Sequence, residues 1–182
     1  LSFSGGEPYV TGVAVDRWGN LWVADCKNNR VLRFSYDALL GRPKDNAELV
    51  LGQTDFQGIA YTTSVADKNL LRFPVAVRVD HVGNVLVADT PGYGTAHQGV
   101  TDQTSRILVF RPSVEGTASS APVYPGNGMT ASAVFTGYLG LVTGLEFEPN
   151  DDTKIWANDA WTYQILQFQL DYSSATPTFA LK

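Results

Sequence analysis

Residues 12–34 read GVAVDRWGNLWVADCKNNRVLRF, and this stretch decides the fold. It holds three short apolar segments. A turn that contains Gly-Asn separates the first from the second, and a second polar turn separates the second from the third. Short segments rich in Val, Leu, Phe and Trp and bounded by turn residues are typical of β-strands. Asp16 and Gly19 suit the first turn, because an Asp side chain can bond its own backbone and glycine tolerates a positive φ. The stretch therefore predicts three antiparallel strands joined by tight turns.

The same pattern returns twice further along the chain. Asp16 recurs as Asp80 and Asp25 recurs as Asp89, and in both cases the two residues are 64 positions apart. A weaker third copy over residues 142–159 lacks the Gly-Asn pair in its turn. Each copy continues into a third and a fourth apolar segment. Self-similarity of this kind is the signature of a repeat architecture, so the sequence predicts three four-stranded antiparallel units.

These units need one another to form a stable fold. A lone four-stranded meander exposes its edges and buries little, whereas units stacked radially bury their faces as the blades of a β-propeller. The sequence therefore predicts an all-β fold of three propeller blades in one partial propeller. We place the blades at residues 8–53, 73–137 and 141–182, with residues 1–5 as the outer strand of a preceding blade.

The first copy closely resembles an NHL repeat over residues 12–34, in the order Gly-Val-Ala-Val-Asp-x-x-Gly-Asn-Leu-Trp-Val-Ala-Asp-x-x-Asn-Asn-Arg-Val-Leu-x-Phe. Residues 49–56, LVLGQTDF, resemble a segment common between NHL repeats of bacterial proteins, many of them secreted. The resemblance implies a propeller that usually closes with six blades, so this chain would form half of the ring. It also implies an extracellular or periplasmic location. Further blades or a second, head-to-tail copy of the chain could complete the ring.

Composition excludes several classes of protein. The chain has 13 Lys and Arg against 18 Asp and Glu, a net charge of −5, and nucleic-acid binding needs a basic face. No apolar run approaches the roughly 18 residues that a spanning helix needs. The single cysteine, Cys26, excludes an intrachain disulfide framework.

Two features recur at fixed positions of the repeat. Trp22 and Trp156 occupy the same position and are predicted to lie in the core between blades. Asp25, Asp89 and Asp159 end the second strand of each copy; they could ring a channel and hold a cation, but a feature of every blade more often serves the blade. We therefore predict structural pairs across the second turn. The pairs are Asp25 with Arg30, Asp89 with Arg106, and Asp159 with Gln164.

The candidate binding residues are aromatic or lie in a loop that the other copies of the repeat lack. Residues 90–105 form an insertion rich in Gly and Thr, and loops on a rigid scaffold tend to carry function. Exposed aromatic side chains near Asp or Asn suit a sugar or a protein hot spot. The candidates are Trp18, Tyr93, His97, Trp161 and Tyr163.

No catalytic set is apparent. His81 and His97 are too few for a tri-His metal site, residues 150–152 lack a full calcium-loop pattern, and no His lies near Cys26 in sequence. We therefore predict no cofactor; the alternative, a bound divalent cation, has no motif to support it. The hypothesis is a noncatalytic binding or assembly module whose loops contact protein or glycan. The alternative, which the resemblance implies, is a fragment of a propeller lyase or hydrolase. Its metal site would be completed by the missing blades.

Overall fold

The computed structural model describes residues 12–91 and 104–182. Across these two ranges the chain is built from β-strands, with one short 3₁₀ turn at Cys26–Asn28. Three four-stranded antiparallel sheets follow one another along the chain, and within each the strands pair in the order of the sequence. The predicted all-β fold of propeller blades is therefore confirmed. No helix in the described ranges is long and apolar enough to cross a bilayer.

The sheets are numbered in chain order. Sheet 1 comprises β1 (Val13–Val15), β2 (Leu21–Asp25), β3 (Arg30–Phe34) and β6 (Leu49–Leu51). A small hairpin of β4 (Tyr36–Asp37) and β5 (Arg42–Pro43) stands between β3 and β6. Sheet 2 comprises β7 (Pro74–Val79), β8 (Val85–Asp89), β9 (Arg106–Phe110) and β10 (Ala133–Phe135). Sheet 3 comprises β11 (Val142–Glu148), β12 (Asp151–Asp159), β13 (Gln164–Asp171) and β14 (Thr178–Leu181). The wider blade limits, and a preceding blade at residues 1–5, stay predictions.

A buried aspartate closes the first turn of sheets 1 and 2. The Asp16 carboxylate accepts the backbone N–H groups of Trp18 and Asn20, each over 3.0 Å. Asp80 does the same at the equivalent turn, where it accepts the backbone N–H of Asn84 over 2.7 Å. Gly19 completes its turn with a φ of 85°, a conformation that costs glycine little. These bonds are local, which is why the turns could be predicted from sequence.

Two apolar cores lie between neighbouring sheets. Trp22, Val31 and Leu51 of sheet 1 pack with Val77 and Val87 of sheet 2. The opposite face of sheet 2 packs against sheet 3. This second core includes Leu86, Ile107, Val109, Ile155, Ala157 and Phe168. Sheet 2 is therefore covered on both faces, and its strands β8 and β9 are buried along their whole length.

Some apolar side chains on the outward faces of sheets 1 and 3 are exposed, although Val50 on the outward face of sheet 1 is fully buried. Val13 and Val15 are exposed on the face of sheet 1 that lies away from sheet 2. Trp156 and Ile165 are exposed on sheet 3. The prediction that Trp156 lies in the core is wrong for this structure, because its side chain points away from the core that sheet 3 shares with sheet 2.

Candidate binding site

The repeated aspartate of sheet 2, Asp89, binds the segment of chain that leads into this sheet. The Asp89 carboxylate accepts the backbone N–H groups of Arg72 and Phe73 over 2.9 and 2.7 Å. Arg106 donates Nε–H to the same carboxylate over 2.8 Å. Neither the Asp89 nor the Arg106 side chain is exposed. A buried ion pair needs such additional hydrogen bonds to offset the loss of hydration.

The arginine of each pair also holds the connector between sheets 1 and 2. The Arg106 guanidinium donates to the carbonyl groups of Asp67 and Leu70, both over 2.6 Å. Arg30 pairs with Asp25 over 2.8 Å and reaches the carbonyl of Phe56. The contacts of these two Asp–Arg pairs are therefore structural and stay within the blades and their connector.

Sheet 3 uses its repeated aspartate differently. The Asp159 carboxylate accepts four backbone N–H groups, from Gly140 (2.7 Å), Leu141 (2.9 Å), Trp161 (3.0 Å) and Thr162 (3.3 Å). Within the described residues no side-chain bond joins Asp159 to Gln164, in contrast to the predicted pair. Gln164 is exposed instead. It lacks the positive charge that the arginines at this position carry in sheets 1 and 2, and backbone donors already occupy the Asp159 carboxylate.

The four backbone donors also set the acidity of Asp159. Burial opposes ionisation, but the N–H groups, led by those of Gly140 and Leu141, hold the pKa of this carboxyl below its usual value of 3.8. Asp159 is therefore ionised at neutral pH. As an anion it accepts bonds from the 138–141 loop, which precedes β11, and from the 160–163 loop, which follows β12.

Three large aromatic side chains project from these two loops. The exposed fractions are 72% for Tyr138, 57% for Trp161 and 94% for Tyr163. Tyr138 and Tyr163 have φ values of 64° and 57°, in the left-handed region that tyrosine rarely adopts. A Cβ added at Gly140 would lie 3.0 Å from the Cβ of Trp161, so the two loops touch. We call Tyr138, Trp161 and Tyr163 the aromatic edge.

The aromatic edge contains only part of the predicted binding set. Trp161 and Tyr163 were candidates from sequence, and Tyr138 was missed, although its place between glycines in the loop before β11 offered a signal. Tyr93 and His97 lie outside the described residues. Among the candidates that the structure describes, Trp161 and Tyr163 are therefore the ones that are exposed, and they lie in one loop.

Trp18 lies elsewhere and is engaged within the protein. Its indole Nε1–H donates to the carbonyl of Thr117 over 2.9 Å, and its ring packs closely against Gly116. The side chain is half-buried between sheet 1 and the loop that follows β9. Its prediction as an exposed binding residue is corrected, because the loop of sheet 2 covers it.

An acidic groove lies where the first turns of sheets 2 and 3 meet. Its volume is about 440 Å³, and Asp80, His81, Glu148, Asp151 and Asp152 are among its lining residues. The backbone N–H of His81 donates to the Asp152 carboxylate over 2.7 Å, and the His81 ring contacts the same oxygen. Within residues 12–91 and 104–182, no group of three or more His, Cys, Asp or Glu side chains is placed to hold a metal ion.

Comparison with known proteins agrees with the architecture. A family model described as the NHL repeat matches residues 8–34, the first copy of the sequence repeat. The solved structure of a gluconolactonase from Xanthomonas campestris superposes with a TM-score of 0.53 and 16% sequence identity, over 93% of this chain. That enzyme is described as important in glucose secondary metabolic pathways. None of the curated proteins compared matches the chain in sequence.

The chain thus carries an NHL repeat and is folded as β-propeller blades. It spans 46% of the length of the gluconolactonase. At this level of identity the likeness concerns the fold, and the enzyme's activity does not follow from it.

Proposed function

We propose that this chain is a noncatalytic binding module that contacts a protein partner through the aromatic edge. The observation that carries the proposal is the exposure of three large aromatic side chains on two loops that one carboxylate holds together. Large aromatic side chains of this kind are the residues that most often carry the binding energy of protein interfaces.

The aromatic edge has the properties of a protein hot spot. Tyr and Trp supply large contact areas, and their few rotatable bonds keep the entropic cost of ordering them small. The backbone beneath them is already held by Asp159, with hydrogen bonds of 2.7 Å to Gly140 and 3.0 Å to Trp161. Preorganisation of this kind lowers the free energy that binding must supply.

The bonds of the Asp159 carboxylate favour a protein over a glycan. Sugar recognition combines an aromatic platform with polar side chains that hydrogen-bond the hydroxyl groups. The carboxylate that binds both loops, Asp159, has no exposed surface and already accepts four backbone N–H groups. It therefore offers little to a sugar hydroxyl. A wider role in assembly belongs to the same proposal. So does an extracellular or periplasmic location, which is supported by the resemblance of residues 49–56 to a segment common between NHL repeats of bacterial proteins, many of them secreted.

A fragment of a propeller lyase or hydrolase is the alternative. Its support is the shared fold of the gluconolactonase, of which this chain spans 46%. Assays of lactone and ester hydrolysis, with metal analysis, on the longest natural form of the protein would test it. Hydrolysis that depends on a bound divalent ion would favour the alternative over a binding module.

Partner capture tests the proposed function. The wild-type chain and the Trp161→Ala/Tyr163→Ala double variant are immobilised and exposed to the secreted proteins of the source organism, and captured proteins are identified by mass spectrometry. Leu39→Ala is the matched control, since Leu39 is an exposed apolar residue of the β4–β5 hairpin. We expect a partner whose affinity is unchanged by the control and falls about thirtyfold in the double variant, the effect of losing a typical hot spot.

A glycan array run with the same proteins separates the two partner classes. Binding of a defined glycan by the wild type, lost in Trp161→Ala/Tyr163→Ala, would replace the protein partner with a carbohydrate. A captured protein whose affinity is equal in the wild type and the double variant would place the binding surface away from the aromatic edge.

A further inference from the structure

The loop that leads into β10 contains the pattern Pro-Gly-Asn-Gly at residues 125–128. Asn127 is the only asparagine of the sequence that is followed by glycine. Glycine has no side chain, so its backbone nitrogen can approach a neighbouring group closely. Asn127 is exposed, whereas the repeated asparagines Asn20 and Asn84 are buried in their turns. The side-chain amide of Asn127 is therefore open to water and has an unhindered backbone nitrogen beside it.

The backbone on both sides of Asn127 is unusual. Gly126 and Gly128 have φ values of 125° and 72°, a region that glycine enters at little cost. A Cβ added at Gly126 would meet no described atom within 4 Å, so this side of the loop is open. Within residues 12–91 and 104–182, the backbone N–H of Gly128 donates no hydrogen bond. No bond within these ranges thus has to break before the Gly128 nitrogen reacts.

The side-chain carbonyl of Asn127 is bound by a distant strand. The backbone N–H of Val50 in β6 donates to Asn127 Oδ1 over 3.0 Å. β6 is an edge strand of sheet 1, so this bond joins that edge to a loop of sheet 2. Val50 is fully buried, and its N–H needs an acceptor. A donor at this distance also stabilises negative charge that develops on a carbonyl oxygen under attack.

We propose that Asn127 is a site of spontaneous deamidation in the folded chain. The backbone nitrogen of Gly128 loses its proton to hydroxide and attacks Cγ of Asn127 in an intramolecular step. Negative charge develops on Oδ1, where the N–H of Val50 stabilises it. The bond between Cγ and Nδ2 then breaks, and the nitrogen takes a proton from water and leaves as ammonia. The product is a cyclic imide that joins residues 127 and 128.

Water opens this imide at either of its two carbonyl groups. Attack at Cγ breaks the bond from Cγ to the Gly128 nitrogen and gives aspartate. Attack at the backbone carbonyl of residue 127 gives isoaspartate, in which the main chain runs through Cβ and Cγ. Aspartate keeps an acceptor for the N–H of Val50. Isoaspartate lengthens the main chain by one methylene group and removes that acceptor, so it is expected to uncap the edge strand β6.

Peptide mapping by mass spectrometry tests the proposal on the whole chain. The purified chain is incubated in mildly alkaline buffer at physiological temperature, under which circular dichroism shows it to be folded. Asn46 is the matched internal control, because it is exposed after β5 and is followed by alanine. We expect Asn127 to be converted at least about tenfold faster than Asn46, with aspartate and isoaspartate both among the products. The rate at Asn127 is expected to rise in proportion to the hydroxide concentration.

Two variants separate the chemistry from its structural consequence. In Asn127→Gln the same attack needs a larger ring, so conversion at position 127 is expected to fall at least about tenfold. Asn127→Asp keeps an acceptor for Val50, and its urea midpoint is expected to equal that of the fresh wild type. The aged wild type, enriched in isoaspartate, is expected to unfold at a lower urea concentration. Aged Asn127→Gln chain controls for every other effect of incubation.

Conversion of Asn127 at the rate of Asn46 would overturn the proposal. Conversion that occurs only in the urea-unfolded chain would overturn it equally, since the folded backbone would then hold the Gly128 nitrogen away from Cγ. An aged chain that contains isoaspartate but keeps the urea midpoint of the fresh chain would show that Asn127 does not cap β6 in the manner described.

Discussion

Asp89 and Arg106 form an ion pair with a shortest N–O distance of 2.7 Å, in which neither side chain has any exposed surface. The pair at the same position of sheet 1, Asp25 and Arg30, retains 10% and 17% exposure. Two pairs of identical chemistry thus differ in their contact with water. The difference arises because the 64–70 part of the connector covers Arg106 and accepts its remaining N–H groups.

Asp89→Asn is expected to destabilise the chain more than Asp25→Asn. Removing one partner of a buried pair leaves the other charge uncompensated, which costs about 3–5 kcal/mol. At Asp25 solvent can reach the arginine, so we expect a loss of about 1 kcal/mol. Urea denaturation of both variants measures the free energy of unfolding. Equal losses would show that burial by the connector does not determine the strength of these pairs.

Acid is expected to weaken the support of the aromatic edge. Because the folded pKa of Asp159 is lower than the unfolded value of 3.8, its contribution is fully present above that value. The contribution is lost as the pH falls through the lower folded pKa. The difference in unfolding free energy between the wild type and Asp159→Asn should therefore shrink as the pH is lowered from neutral to below 3.8. A difference that stays constant over this interval would contradict the role assigned to the Asp159 anion.

Gly12→Ala and Gly144→Ala are expected to differ although they change the same position of the repeat. At Gly12 the added methyl group meets the backbone of sheet 2, and overpacking of this kind costs about 1–3 kcal/mol. At Gly144 it meets no atom of the described residues within 4 Å, and a strand loses less entropy with alanine, so stability is expected to stay equal or rise slightly. Thermal unfolding of the two variants and the wild type measures the difference. Similar losses at both sites would mean that the contact with sheet 2 is not the cause.

Trp22→Leu and Trp156→Leu form a second matched pair. Trp22→Leu opens a cavity between sheets 1 and 2 and removes a donor from the buried Asp16, so we expect a loss of about 3–5 kcal/mol. Trp156→Leu acts on a side chain that solvent already reaches, and its cost to the single chain is expected to stay below about 1 kcal/mol. Denaturant unfolding measures both losses of unfolding free energy. A large loss at Trp156 would show that sheet 3 depends on this residue without a further sheet.

Local chemistry explains what could be predicted from sequence. The first turns of sheets 1 and 2 are closed by bonds between residues two to four positions apart, such as Asn84 to Asp80. The strands follow from short apolar segments between such turns. Both signals lie within a few residues of one another, so the amino-acid pattern alone predicts the strands and their repetition as three units.

The same reasoning fails where partners are distant in sequence. Asp159 binds Gly140, 19 positions away, and not Gln164 as predicted. Trp18 is covered by a loop some 99 positions further along the chain. In neither case does the sequence around one residue indicate its distant partner.

The sequence by itself determined that this chain makes three antiparallel sheets, the first of them carrying an NHL repeat, because alternation and turn chemistry act over short distances. Only the tertiary structure decided which side of each sheet is covered. Trp22 and Trp156 share one repeat position and one kind of indole-to-carboxylate bond, yet sheet 2 buries the first and solvent meets the second. The burial of a side chain depends on whether a neighbouring sheet packs on its face. The residues of a strand determine which side chains point to that face, but they do not determine whether another sheet covers it.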